Sequence, residues 1–142
     1  MQVIYPDSKT VFLAGTIDNG DSFNWQEGII NRCQDLDIVF YNPRRKKWPS
    51  VTVTSQIEYQ IKWEQEHLDN ADLIIMCLLD NSRSPISLLE LGLYAQSGKI
   101  IVFCNPEFYR YDNVRLTCEK YNIPLYKVDL DNMKKIIESK TN

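Results

Sequence analysis

The chain has a single histidine and four cysteines, and no two cysteines stand in CxxC spacing. A zinc site therefore finds no ligand pattern. Cys77 and Cys104 lie inside the apolar runs Ile74 to Leu79 and Ile100 to Cys104, so they read as small buried hydrophobes in reduced form. Only five glycines occur, and none forms GxGxxG or a Gly-Lys-Ser/Thr loop. Dinucleotide dehydrogenase and P-loop NTPase readings lose their main support. The longest apolar run, Leu73 to Leu79, is far short of a membrane span. The N-terminal MQVIYPDSK has no basic region followed by an apolar core, so no signal peptide is expected. Sixteen basic against nineteen acidic residues give a net charge of −3. That charge argues against a nucleic-acid polymer as partner, while leaving room for one nucleotide in a local pocket. These absences together point to a cytoplasmic protein.

What is present is ordinary globular composition: 142 residues, 44% apolar and 25% charged. One domain spanning 1–142 fits this length, and burial of about 70% of the unfolded surface is expected without disulfide staples. Short apolar runs predict strands at 11–14, 38–41, 73–79, 100–104 and 125–128. Amphipathic stretches between them predict helices at 25–33, 55–70, 86–96, 114–121 and 131–139. Near-continuous apolar strands alternating with helices imply an α/β domain. Its sheet has about five mainly parallel strands, doubly wound in a Rossmann-like or flavodoxin-like layout, with helices on both faces. Ligands of such folds bind beyond the C-terminal strand ends, where strand order reverses. The loops at 15–24, 42–54, 80–85 and 105–113 are the places to look.

Candidate chemistry lies in and beside these loops. Gly15, after the first strand, permits close backbone approach and frees N–H groups for an anion, although a plain strand-to-helix turn explains it as well. Ile57, Ile61, Glu64 and Leu68 share one helix face, which places the Glu64 carboxylate on an apolar stripe. Such a carboxylate is buried for use, or lies at a rim, free or paired with Arg44 or Arg45. Ser84 suits an N-cap and Pro85 the first helical turn. Glu90 then follows among leucines, close to the strand ends. Ser87 and Glu90 also match a capping box, in which Glu90 would only close the helix end. Gly92 inside this helix suggests close packing or a ligand-sized neighbour. Two carboxylates directed at one cleft suggest glycosyl chemistry, one as nucleophile and the other managing the leaving group's proton. His67 reads as a rim residue and Trp63 as packing. The basic segment from Asn42 to Trp48 is either a solvated loop or a substrate loop, with Arg44 or Arg45 meeting a phosphate or carboxylate and Trp48 stacking on a base. Trp25 is a candidate to line the first loop.

Four ordered segments carry a resemblance. They are Val11 to Ile17, Asn42 to Arg45, Gln60 to Glu64 with His67-Leu68 and Ala71-Asp72, and Pro85 to Gly92. Together they resemble the nucleoside 2-deoxyribosyltransferase-like family over about residues 10–130. The resemblance implies a Rossmann-like homodimer or larger assembly. Its activity would be cleavage of an N-glycosidic bond through a covalent sugar–carboxylate intermediate, with no metal or organic cofactor. On that basis Glu90 matches the nucleophile and Glu64 an aspartate that handles the base. Gly15 and Thr16 match the loop approaching the sugar, and Asn113 a residue that completes a neighbouring subunit's site. Phe12 stands where free-nucleoside transferases often carry tyrosine, and Ser84 where they often carry aspartate. A serine there resembles the branch that hydrolyses nucleoside 5′-monophosphates. The expected partner is thus a nucleoside or nucleotide. The reading is a transferase or, alternatively, a nucleotide N-glycosidase; a nucleotide-binding sensor without turnover is a third option.

Overall fold

Five runs of aliphatic and β-branched residues build one parallel sheet. In this computed structural model, which describes residues 9–45 and 54–142, the strands are β1 (Lys9–Gly15), β2 (Ile38–Tyr41), β3 (Leu73–Leu78), β4 (Ile100–Cys104) and β5 (Leu125–Tyr126). The helices are α1 (Trp25–Arg32), α2 (Thr54–Asn70), α3 (Pro85–Tyr94), α4 (Tyr111–Tyr121) and α5 (Leu130–Thr141), with a 3-10 turn at Asp18–Gly20. The strand order is β2-β1-β3-β4-β5, and every pairing is parallel. The expected architecture and its five helices are therefore found. Lys46, Lys47 and Trp48 lie outside the described residues.

Strand alternation sorts the core into two halves. Phe12, Ala14, Ile74, Met76 and Val102 face one side, where Leu68 of α2 with Ala71 just after it, Leu91 of α3 with Ala95 just after it, and Val114 and Cys118 of α4 pack. Val11, Leu13, Ile75, Cys77 and Phe103 face the other, against Trp25 and Ile29 of α1 and Met133 and Ile137 of α5. Burying both faces explains why the strands read as unbroken apolar runs rather than alternating ones. All four cysteines are buried thiols. Burial pushes the Cys33 and Cys118 thiols up to about 11 and that of Cys104 up to about 12, which keeps them protonated and unreactive.

Two expectations need correction. The fifth strand stops at Tyr126, because the Val128 N–H turns to Asn105 Oδ1 at 2.9 Å rather than to a strand neighbour. The apolar stripe assigned to α2 is buried only at its C-terminal end. Ile57 and Ile61 are exposed, and Leu68 is the stripe residue that reaches the core. The first turns of α2 thus flank the strand ends instead of covering the sheet.

Candidate functional site

The chain leaves β1 towards β2 on one side and returns past β1 to form β3 on the other. This order reversal opens a crevice beyond the C-terminal ends of β1 and β3, the usual ligand position in this strand order. A cleft of about 350 Å³ lies there. Its floor comes from Ala14 and Gly15 of β1, and one wall from Pro43, Gln60 and Glu64. The opposite wall is Asp18 with Ser84, Pro85 and Ile86, and Glu90 of α3 closes the site. Gly15 is required by geometry. Its φ is +127°, and a Cβ there would sit 2.1 Å from the Cys77 carbonyl oxygen. This close approach lets the Thr16 N–H donate to the Cys77 carbonyl at 2.9 Å and ties the two strand ends together.

One half of the cleft is acidic. Glu90 is only 9% exposed, and its carboxyl has no hydrogen-bond partner among the described residues. Burial, with the neighbouring Glu64 charge as a lesser cause, pushes Glu90 up to about 8. Burial also raises Glu64, opposed by a hydrogen bond from Gln60 and by the charge of Arg45. The Arg45 Nε–H in turn donates to Gln60 Oε1 at 3.3 Å. Both carboxyls are thus held towards the protonated form, and Glu90 is the member held there more strongly.

The other half is a chain of hydroxyls. Thr16 Oγ1 accepts the Leu79 N–H at 2.9 Å and lies 2.8 Å from Ser84 Oγ. Ser84 Oγ lies 2.7 Å from Ser82 Oγ, which donates to Asp18 Oδ1 at 2.8 Å. Ser84 and Asp18 both hold left-handed backbone conformations, with φ of +45° and +51°. Non-glycine residues occupy that region at a cost, and only when their surroundings hold them there. Ser84 does stand at the N-terminal boundary of α3, but its hydroxyl makes no cap bond. The chain to Thr16 and Ser82 takes that hydroxyl instead. The capping box fails for the same helix start: Pro85 begins α3, so Ser87 lies inside it and Glu90 is free to face the cleft. Asp18 and Ser82 were missing from the sequence reading. The Ser82-x-Ser84 alternation was their one visible signal.

Several expected site residues lie elsewhere. Trp25 does not line the cleft. It is fully buried under the loop, its Nε1–H donating to the Thr16 carbonyl at 2.9 Å, with Gln26 Nε2 adding a second bond at 3.2 Å. Thr16 itself is fully buried and supports the wall from behind. Arg44 is not free to meet an anion. Its guanidinium donates to the carbonyls of Gly20, Ser22 and Phe23 and clamps the loop after the 3-10 turn. Asn42 makes a local turn, accepting the Arg44 N–H at 3.0 Å. Asn113 is exposed on α4 and lines a separate depression with Leu88, Gly92 and Arg110. Gly92 has nothing within 4 Å of a Cβ position, so the close packing expected there is absent. His67 is half-buried, stacked on Trp63 at 4.1 Å, with Nδ1 at 2.7 Å from the Trp63 carbonyl. Among the described residues no cluster of side chains has the makings of a metal site, and no helix is long and apolar enough to cross a membrane.

Known proteins give this arrangement a context. A solved 2-deoxyribosyltransferase from Bacillus psychrosaccharolyticus shares the fold with a TM-score of 0.65 at 19% identity, over 88% of this chain and 90% of that one. A conserved protein of Enterococcus faecalis V583 matches with a TM-score of 0.65 at 12% identity, over 94% of this chain and 99% of that one. No curated protein matches the sequence. The family described as nucleoside 2-deoxyribosyltransferase like matches residues 8–108, which takes in β1 through β4 and both cleft carboxylates. The chain therefore belongs to the nucleoside 2-deoxyribosyltransferase-like family.

Proposed function

We propose that the protein cleaves the N-glycosidic bond of a (deoxy)nucleoside and passes the sugar to a second base. The observation that carries this reading is Glu90. It is a buried carboxyl without hydrogen-bond partners among the described residues, in the switch-point cleft and beside a second raised carboxyl. A nucleophile at an anomeric carbon needs an ionised oxygen that is poorly solvated, and an adjacent acid to protonate the departing base. Glu90 holds the proton at rest, so the reactive form arises when that proton passes to Glu64, which leaves Glu90 as nucleophile and Glu64 as acid. Glu90 attacks C1′ as the glycosidic bond breaks, and the bond's electron pair leaves with the base. Glu64 gives its proton to the base nitrogen. The incoming base then attacks C1′ through a ring nitrogen, the sugar–Glu90 ester breaks, and the new base's proton returns to Glu64. No metal ion or organic cofactor is needed to balance these steps.

A homodimer fits the same reading. Ile86, Leu89 and Leu93 of α3 are each more than half exposed, and Ile57 and Ile61 of α2 are exposed as well. Pairing through this surface would let Asn113 of one copy approach the cleft of the other. The test of function is a chromatographic product assay with deoxyadenosine, with and without cytosine. Deoxycytidine formed only when cytosine is present supports transfer. Free adenine and sugar regardless of cytosine would make water the acceptor, giving an N-glycosidase. No product would overturn the catalytic reading.

A further inference from the structure

Gln60 stands between two groups that fix the direction of its amide. The Arg45 Nε–H can only donate, so the atom 3.3 Å from it must be the amide oxygen. The Pro43 carbonyl can only accept, so the atom 3.2 Å from it must be the amide nitrogen. Both contacts demand the same orientation, and a flipped amide would lose both. The amide nitrogen carries two hydrogens. One serves Pro43, and the other serves the Glu64 carboxylate, one turn further along the same face of α2. Although Gln60 lines the cleft, it has no hydrogen left for a ligand. What it contributes to the site passes through Glu64.

We infer that Gln60, oriented by Arg45 and Pro43, is a positioning residue for the proposed glycosyl transfer: its amide holds Glu64 as the accepting member of the carboxyl pair and so leaves the resting proton on Glu90. An N–H donor stabilises a carboxylate more than the neutral acid, because the bond to a charged oxygen is the stronger one. Among the charged groups at the cleft, Arg45 also favours the ionised form of Glu64, whereas Glu90 of α3 and Asp18 on the facing wall are acidic. His67, one turn further along α2, is engaged with Trp63, its Nδ1 lying 2.7 Å from the Trp63 carbonyl. Transfer begins only when Glu64 takes the proton from Glu90, so the Gln60 amide sets how far uphill that shift lies. A second proton on the pair blocks the shift, because Glu64 is then already filled.

The catalytic meaning of this shift rests on the proposed N-glycosidic chemistry, but its first readout needs no turnover. Glutamate labelled with carbon-13 at the side-chain carboxyl is incorporated into the protein. The Glu64 and Glu90 signals, assigned by their loss in Glu64→Gln and Glu90→Gln, are then titrated by NMR. In the wild-type protein Glu64 should ionise at lower pH than Glu90. Gln60→Met keeps the side-chain length without the donor, and it should raise the Glu64 midpoint by about half a pH unit or more, the scale of one hydrogen bond to a charged group. Arg45→Met should move the midpoint the same way, and it replaces Gln60→Met if thermal melting shows that variant to be unfolded. A Glu64 midpoint that does not move, or Glu64 ionising above Glu90 in the wild-type protein, overturns the inference. With deoxyadenosine as substrate, the acid limb of kcat/KM is where Glu64 takes the second proton. That limb should move up with the NMR midpoint in Gln60→Met while the alkaline limb stays in place. A merely structural role for Gln60 would lower the bell at every pH and leave both limbs where they were, which overturns the inference. If no nucleoside is turned over, the glycosyl reading fails and the titration alone decides whether Gln60 holds Glu64.

Discussion

The two halves of the cleft treat their polar groups in opposite ways. Across from Ser84 and Asp18, whose hydrogen bonds are allocated link by link, Glu90 is buried with no such partner among the described residues. A largely buried carboxyl that meets only the open cleft is costly to ionise, and such groups cluster where a reacting partner can relieve that cost. Saturated hydroxyls are cheap to bury and hard to redirect, which suits recognition. The same strand ends therefore present one surface ready to change its bonding and another held in a single pattern.

The sharpest way to break this contrast is to remove the reactive half. Glu90→Ala should reduce turnover at least about 10³-fold, since loss of an attacking group leaves only binding and orientation. The melting temperature should hold or rise, because a carboxyl whose ionised form burial disfavours is removed. Single-turnover kinetics and thermal melting read the two effects on one preparation. Retained activity would move the nucleophile elsewhere.

Next in size is the residue on which both halves rest. Gly15→Ala forces a Cβ to within 2.1 Å of the Cys77 carbonyl, a backbone atom that cannot yield cheaply, at a φ of +127°. We expect a loss of about 3 kcal/mol or more, measured by urea unfolding. Gly92→Ala is the control. That helical position has an ordinary φ and nothing within 4 Å, so alanine should stabilise by roughly 0.5–1 kcal/mol. Equal effects at the two glycines would show that the β1–β3 approach is not under constraint.

Glu64→Gln should act on the chemistry and spare the recognition. Glutamine cannot give up a proton to the base, so kcat should fall by about 10²–10³, the usual scale for a general acid. The wild-type profile should be bell-shaped, because the reactive form of the pair holds one proton. It loses activity at low pH as the nucleophile is protonated, and at high pH as the pair gives up its last proton. The variant should lose the alkaline limb. Binding of the nucleoside should stay within about twofold of wild type, because the hydroxyl chain on the opposite wall is untouched.

How much of this was legible in the sequence follows from what is local. The strands are continuous apolar runs and the helices have clear periods, so fold class and element order were readable before any coordinates. The handedness of parallel crossovers then left the switch point with few alternatives. Glu90 stood out as a lone charge in an apolar helix, and Glu64 as a charge on an apolar stripe, although Ile57 and Ile61 of that stripe prove exposed. What sequence did not reveal depends on long-range closure. The contact of Ser84 with Thr16 spans 68 positions, and it overrides the cap that Ser84 would otherwise make. Arg44 was readable as a cation but not as one already committed to carbonyls 21 to 24 positions away. Trp25 was readable as an aromatic near a binding loop, while its side of that loop was set by the packing of α1 against α5.

The pH dependence of stability is the effect most specific to Glu90. Its folded carboxyl stays protonated up to about 8, whereas the unfolded group ionises near 4.5. Below the lower value both states hold the proton and pH has no leverage. As pH rises through the window the unfolded chain alone releases its proton, so stability falls, and the fall ends once the folded group ionises too. Glu90→Gln has no proton to lose. The variant should therefore match the wild type at pH 4 and exceed it at pH 8, by about 2 kcal/mol once relaxation of the charged site is allowed for. In melting temperature that is about 4–8 °C for a domain of this size. Glu64, raised in the same direction, leaves a residual slope in the variant, which Glu64→Gln in the same background should flatten. A constant offset between wild type and variant from pH 4 to pH 8 would mean that Glu90 is ionised throughout. In that case its burial would be offset by a partner, and the contrast between the two halves of the cleft would disappear.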